Sequence, residues 1–259
     1  MKRALALVAI LVLAGCASTP EPTPAPAAPA TSEDTLSGSI TVFAAASLTD
    51  SFDQLKTEFV KAHPNVEIIF NFGGSSALAE QIVQGAPVDV FAAASPATMA
   101  TVVDASLASD PTDFVSNTLE LAVPTDNPAG VKTLTDLENP DLTVAFCAAE
   151  VPCGAATVKV LDATGLSITP DTYEQDVKAV LTKVQLGEVD AGLVYKTDVL
   201  AAGDTVLGIE FAEASEAVNL YPIATLTDSQ NAEAADAFVA WVLSPEGQDL
   251  LQTWGFGAP

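Results

Sequence analysis

From Ile40 onward the chain repeats one unit: a short apolar run, a polar break, then apolar residues at helical spacing. The first run, Thr41-Val42-Phe43, ends at three alanines. Ser47 then opens a segment in which Leu48, Phe52, Leu55 and Phe59 recur three or four residues apart, with Asp50, Asp53, Lys56 and Glu58 between them. That spacing predicts a buried strand running straight into an amphipathic helix, with Ser47 at the turn. Residues 66–72 read as a second strand, followed by Gly73-Gly74-Ser75-Ser76 and a helix through Leu78, Ile82 and Val83 that stops at Gly85. Residues 88–91 make a third strand, and Ser95-Pro96 caps the next helix with proline at its favoured first position.

A second set of elements begins with a strand over residues 119–123 and a short helix near 134–138. It continues with a strand over 142–146, a loop over 147–154 and a helix through Val158, Val160 and Leu161. Residues 176–186 are predicted helical and 191–195 a strand. Residues 218–226 look like a long strand with Pro222 inside it, which suggests an edge or a crossover. Two helices, 232–243 and 245–254, close the chain.

Strands separated by single helices imply parallel pairing with right-handed crossovers, hence an α/β fold. Two sets of similar size suggest two lobes, each a mostly parallel sheet flanked by helices. Ligands of such sheets lie beyond the carboxyl ends of the strands, where helix N-termini gather. A helix start presents unpaired N–H groups and the positive end of the dipole, so the turn at Ser47 is a ready anion cradle. A plain N-cap role explains a single serine equally well.

The first residues stand apart from this pattern. Lys2 and Arg3 precede an apolar run over residues 4–13 that ends in Leu13-Ala14-Gly15-Cys16. Residues 1–15 read as a secretory signal with a small-residue cleavage site, too short for a convincing permanent span. Leu-Ala-Gly-Cys resembles the bacterial lipoprotein box, which implies acylation of Cys16 and attachment to a membrane surface. Residues 16–38 are rich in Pro, Ala, Thr and Ser and form a tether rather than a core. Export makes a disulfide the default for the remaining Cys147 and Cys153, with two free thiols as the alternative.

Charge then narrows the ligand class. Nine basic against 34 acidic residues leave a formal net charge of -25. This argues against nucleic acid, and against an electrostatic grip on anionic lipid. Arg3 is the only arginine, so the exported chain has none, and a bound oxyanion must be held by neutral dipoles or lysine. The single His63 offers no second imidazole, and the cysteine spacing fits no zinc knuckle, so no metal site of that kind is expected.

At this point the chain resembles the molybdate-binding proteins of ABC transporters, within the periplasmic binding protein class, over residues 40–256. The resemblance is carried by Thr-Val-Phe-Ala-Ala-Ala-Ser-Leu-Thr (41–49), Phe-Gly-Gly-Ser-Ser-Ala-Leu-Ala-Glu-Gln-Ile (72–82) and Gly-Ala-Pro-Val-Asp-Val-Phe (85–91). Val-Pro-Cys-Gly (151–154), Asp-Val (176–177), Gly-Leu-Val-Tyr (192–195) and Tyr-Pro-Ile (221–223) add to it. It implies a two-lobed receptor with lobe I at residues 39–118 and 221–259, lobe II at 119–220, and no chemistry. It further implies a tetrahedral oxyanion held by five residues: hydroxyl and N–H from Ser47 and Ser75, N–H from Cys153 and Val177, and the phenol of Tyr195. Position 153 is commonly alanine in that family and position 74 commonly serine, where this chain has Cys153 and Gly74. A Cys147–Cys153 bond would stiffen the loop around one donor.

The expected ligand is molybdate, with tungstate beside it, and no cofactor. The expected partner is a membrane permease, and the receptor is expected to be a monomer. Closure is expected to bend the links near 118–121 and 220–223. Sulfate, phosphate or ferric ion on the same architecture are the rivals. Iron wants clustered tyrosines, and Tyr173, Tyr195 and Tyr221 are scattered along the sequence. A serine or cysteine enzyme is the rival of a different class, with only His63 to serve as a base.

Overall fold

The computed structural model of the protein describes residues 35–259. The expected leader over 1–15, the lipidation at Cys16 and nearly all of the tether over 16–38 lie outside those residues. Among the described residues no helix is long and apolar enough to cross a membrane.

Two five-stranded sheets are built on one plan. The first joins β1 (Gly38–Ala45), β2 (Val66–Gly73), β3 (Val90–Ala92), β4 (Thr112–Asn117) and β10 (Asn219–Thr225) in the order β2-β1-β3-β10-β4. The second joins β5 (Leu119–Pro124), β6 (Val144–Cys147), β7 (Thr172–Glu174), β8 (Ala191–Tyr195) and β9 (Val206–Ile209) in the order β7-β6-β8-β5-β9. In each, the strand in fourth place runs against the other four: β10 is antiparallel to β3 and β4, and β5 to β8 and β9.

The reversal has a simple cause. The chain passes from β4 into β5 through Thr118 alone, and it enters β10 from the last elements of the second sheet. A strand that enters a sheet at the end where its neighbours finish must run the other way. Registers show it: Asn219, the first residue of β10, pairs with Asn117, the last of β4. Leu119, the first residue of β5, pairs with Tyr195, the last of β8. The result is the two-lobed α/β fold, mostly parallel in each sheet, with both crossings at the carboxyl ends.

The helices are α1 (Thr49–Ala62), α2 (Ser75–Val83), α3 (Pro96–Asp104), α4 (Pro152–Thr164), α5 (Val177–Gln185), α6 (Lys196–Ala202), α7 (Ala232–Leu243) and α8 (Pro245–Thr253). The helical spacing of Phe52, Leu55 and Phe59 puts all three in the core between the first sheet and α7. Phe238 of α7 meets Phe52 and Phe59 edge-on, with centroids 6.1 and 5.5 Å apart. Each of these fully buried rings contributes roughly 1.5–3 kcal/mol by leaving water. The other face of that sheet packs Leu78, Ile82 and Met99, and a separate cluster fills the second sheet.

Several expectations are corrected. The first strand does not run straight into a helix: a 3-10 turn, Ala46–Leu48, intervenes and α1 starts at Thr49. The short helix at Leu134–Glu138 is also 3-10. Pro222 lies between β3 and β4, so β10 is a crossover and not an edge, and a register shift between Tyr221 and Pro222 accommodates the ring. The expected loop over 147–154 ends earlier, because α4 begins at Pro152, where a missing N–H costs nothing. Sequence reading missed β4, β7, β9 and α6. The first is Thr-Asp-Phe-Val-Ser-Asn, whose polar residues disfavour strand, and α6 is capped by a tyrosine.

Candidate functional site

Ser47 sits in the 3-10 turn after β1, and Ser75 is the first residue of α2 after β2. Both follow strands of the first sheet at their carboxyl ends. From the second sheet, Cys153 occupies the second position of α4 and Val177 the first of α5, while Tyr195 ends β8. All five line one cavity. The cavity is small, about 20 Å³, and leaves no room for a sugar or an amino acid.

Three helix starts therefore converge on one small volume. The N–H groups of the first turn have no partner within their own helix, and the helix dipoles add positive potential at the same place. No lysine lines the cavity. Asp176 lines it but turns its carboxylate onto its own helix, where Oδ1 accepts from the Ala179 N–H at 3.0 Å. Asp50 and Asp53, both on α1, are exposed.

The hydroxyls are held from behind. Ser75 Oγ accepts from the N–H of Ala94 at 3.0 Å. Tyr195 OH accepts from Asn219 Nδ2 at 3.0 Å, and the same nitrogen donates to the carbonyl of Ala94 at 2.8 Å. Ser47 Oγ lies 2.9 Å from the hydroxyl of Tyr221, which in turn lies 3.4 Å from Asn117 Nδ2. Burial raises both phenol pKa values above their ordinary range, so Tyr195 and Tyr221 stay protonated. Tyr221, Asn117 and Asn219 were missed as site residues by sequence reading. The only sign of them was the Tyr-Pro-Ile motif.

Two close packings shape the cavity. Cys147, which ends β6, is joined to Cys153 with Cα atoms 5.7 Å apart, drawing the start of α4 onto the strand end. A Cβ on Gly154 would fall 1.8 Å from the carbonyl oxygen of Ala148, so glycine follows Cys153 for lack of room. Across the two halves, Ser76 Oγ donates to the carbonyl of Glu150 at 2.7 Å. Lys178 Nζ lies 2.8 Å from Asp50 Oδ2 on α1 and 3.4 Å from Asp198 Oδ1 on α6. Asp198 is fully buried and accepts from the Tyr195 N–H at 3.1 Å. Burial pushes its pKa up to about 6, against the pull of Lys178.

Residues 40–257 match the family of bacterial extracellular solute-binding proteins. The chain is 43% identical over 222 residues to the molybdate-binding protein ModA of Mycobacterium tuberculosis (strain ATCC 25618 / H37Rv), covering 85% of each. It is 31% identical to the putative ABC transporter substrate-binding lipoprotein YvgL of Bacillus subtilis (strain 168), over 98% of this chain and 96% of that one. Among solved structures, it is similar to the substrate-binding domain of a putative molybdenum ABC transporter from Clostridium difficile. That likeness has a TM-score of 0.63 and 30% identity, covering 85% of this chain and 99% of the other.

Proposed function

The chain belongs to the family of bacterial extracellular solute-binding proteins, and on that footing we propose that it is a receptor for molybdate, and for tungstate beside it, which delivers the anion to an ABC importer. One observation carries the reading. Five residues from two sheets bring uncharged N–H and O–H groups to one small cavity, in a chain with no arginine beyond Arg3. Ser47 and Ser75 each supply a hydroxyl and an N–H, Cys153 and Val177 an N–H, and Tyr195 its phenol. About seven such donors at roughly 1.5–3 kcal/mol each give a gross ~10–20 kcal/mol. Desolvation of the anion and ordering of the cleft offset much of this, leaving an affinity between micromolar and nanomolar.

The mechanism is selection of a closed state. Residues 39–118 with 221–259 move as one lobe and 119–220 as the other, bending at Thr118 and at the entry to β10. Anion bridging the two sets of donors stabilises the closed arrangement over the open one. No bond is made or broken. The one histidine, His63, follows the 14-residue α1, about 20 Å along the helix from the turn that holds Ser47, which favours the receptor reading over a serine enzyme with that base. Residues 1–15 act as an export signal and Cys16 as a lipid anchor, a reading supported by the Leu-Ala-Gly-Cys motif and by the lipoprotein relative.

Thermal unfolding with and without molybdate, tungstate and sulfate tests the proposal. A native-state ligand at 100 times its dissociation constant adds about 2.7 kcal/mol. Molybdate and tungstate are expected to raise the midpoint strongly. A larger rise with sulfate overturns the molybdate reading.

A further inference from the structure

Lys178 is the second residue of α5, directly after Val177, one of the five residues of the cavity. That is a poor place for a cation, because the start of a helix carries the positive end of its dipole. Two carboxylates offset this. Asp50 Oδ2, in the first turn of α1, lies 2.8 Å from Lys178 Nζ, and Asp198 Oδ1, on α6, lies 3.4 Å from it. Burial works against the charge on Lys178, but Asp198 and Asp50 outweigh it and hold the ammonium above its ordinary pKa.

The two carboxylates are not equivalent. Asp198 is fully buried in the same half of the molecule as Lys178, and its Oδ1 has no hydrogen-bond partner. Its Oδ2 accepts from the N–H of Tyr195, so the ammonium is the counter-charge of a carboxylate that holds a cavity residue. Asp50 belongs to the other half, three residues after Ser47, and is exposed. The Lys178–Asp198 pair is therefore available whether the halves are together or apart, and the Lys178–Asp50 pair only when they meet. One ammonium thus links Val177, Tyr195 and the turn that holds Ser47, without lining the cavity itself.

We propose that Lys178 is a positioning residue that latches the two halves over a bound anion through Asp50, so that affinity is set in part outside the cavity. The inference rests on the receptor reading above. Asp50 is a negative charge near an anion site, in a chain that is already strongly acidic. As a bystander it only repels the ligand, and losing it would tighten binding. A latch predicts the opposite sign. An exposed ion pair changes an equilibrium constant only a few-fold, and salt screens it, so the effect is small and salt-dependent.

Titration calorimetry with molybdate on the wild type, Asp50→Asn and Asp50→Glu, at low and at high sodium chloride, tests the proposal, with circular dichroism to check folding. Asp50 is exposed, so both variants are expected to fold. At low salt Asp50→Asn is expected to bind about three- to fivefold more weakly, and at high salt the loss is expected to shrink below about twofold. Asp50→Glu keeps the charge and is expected to stay within about twofold of the wild type. A double-mutant cycle isolates the pair: in a Lys178→Met background, Asp50→Asn is expected to weaken binding no further. Asp50→Asn protein that binds molybdate as tightly as the wild type, or more tightly, overturns the proposal, and so does an equal weakening with Lys178 gone. Wild-type protein that binds no molybdate overturns the receptor reading itself, a result distinct from an unchanged affinity.

Discussion

The backbone at Gly74 lies so close to the carbonyl oxygen of Gln175 that a Cβ there would fall 2.3 Å from it. Gly74 precedes α2 and Gln175 precedes the N-cap of α5, so this contact brings the Ser75 and Val177 N–H groups to one cavity.

Gly74→Ala is accordingly expected to weaken molybdate binding about tenfold or more, because a backbone atom must yield before the halves can meet. Unfolding of the ligand-free protein should change little. Calorimetry beside ligand-free thermal melts separates the two, and unaltered affinity in the alanine variant removes Gly74 from the closure.

Removing one cage hydroxyl takes away a hydrogen bond to a charged group, worth about 1.5–3 kcal/mol, or roughly a 10- to 150-fold loss. Ser75→Ala is the cleaner probe, since Ser75 Oγ has the Ala94 N–H behind it, whereas Ser47→Ala also takes from the Tyr221 hydroxyl its partner at 2.9 Å. Equilibrium titration with molybdate should show Ser47→Ala as the costlier of the two. Wild-type affinity in Ser75→Ala would remove that hydroxyl from the cage.

The Cys147–Cys153 bond closes a loop with a sequence separation of 6. Chain-entropy reasoning assigns so short a loop about 2 kcal/mol of stability. Cys147→Ser with Cys153→Ser is expected to lower the unfolding free energy by that amount. It should also weaken molybdate binding several-fold, because the start of α4 is then less firmly held. Denaturant melts of the double variant measure the first effect, and titration the second. Intact mass with and without reductant reports the bond itself.

Asp198 titrates near pH 6 in the folded protein, raised by burial from an ordinary value of 3.8. A raised folded pKa means stability that is fully present below about pH 4 and lost as pH rises through about 6. Asp198→Asn removes this titration while retaining a side-chain oxygen for the Tyr195 N–H. Between pH 4 and 7 the wild type is expected to lose on the order of 2–3 kcal/mol relative to the variant. Paired urea melts across that range test it. A constant difference means that Asp198 does not titrate there.

Much of the candidate site is legible in the sequence alone. Ser47 and Ser75 stand where an apolar run gives way to helical spacing, and such turns put N–H groups beyond strand ends whatever the rest of the chain does. Cys153 and Val177 were reachable only through resemblance, since Val-Pro-Cys and Asp-Val say nothing about a cavity by themselves. Tyr221, Asn117 and Asn219 escaped because their roles depend on partners remote in sequence. The Ser47–Tyr221 contact spans 174 residues, and the Asn117–Tyr221 contact spans 104.

Alternation of apolar runs with helical spacing determines the α/β class, because burial periodicity is a local property that each segment expresses for itself. The lack of any arginine beyond Arg3 likewise determines that an anion must be met by uncharged dipoles or by lysine. Only the tertiary structure decides that helix starts from both halves meet at a single cavity of this size. It also decides that the chain crosses between the sheets where β4 gives way to β5 and where β10 begins, which brings Asn117 and Asn219 together at the crossing. Convergence is set by where distant segments pack, and no local pattern of residues encodes it.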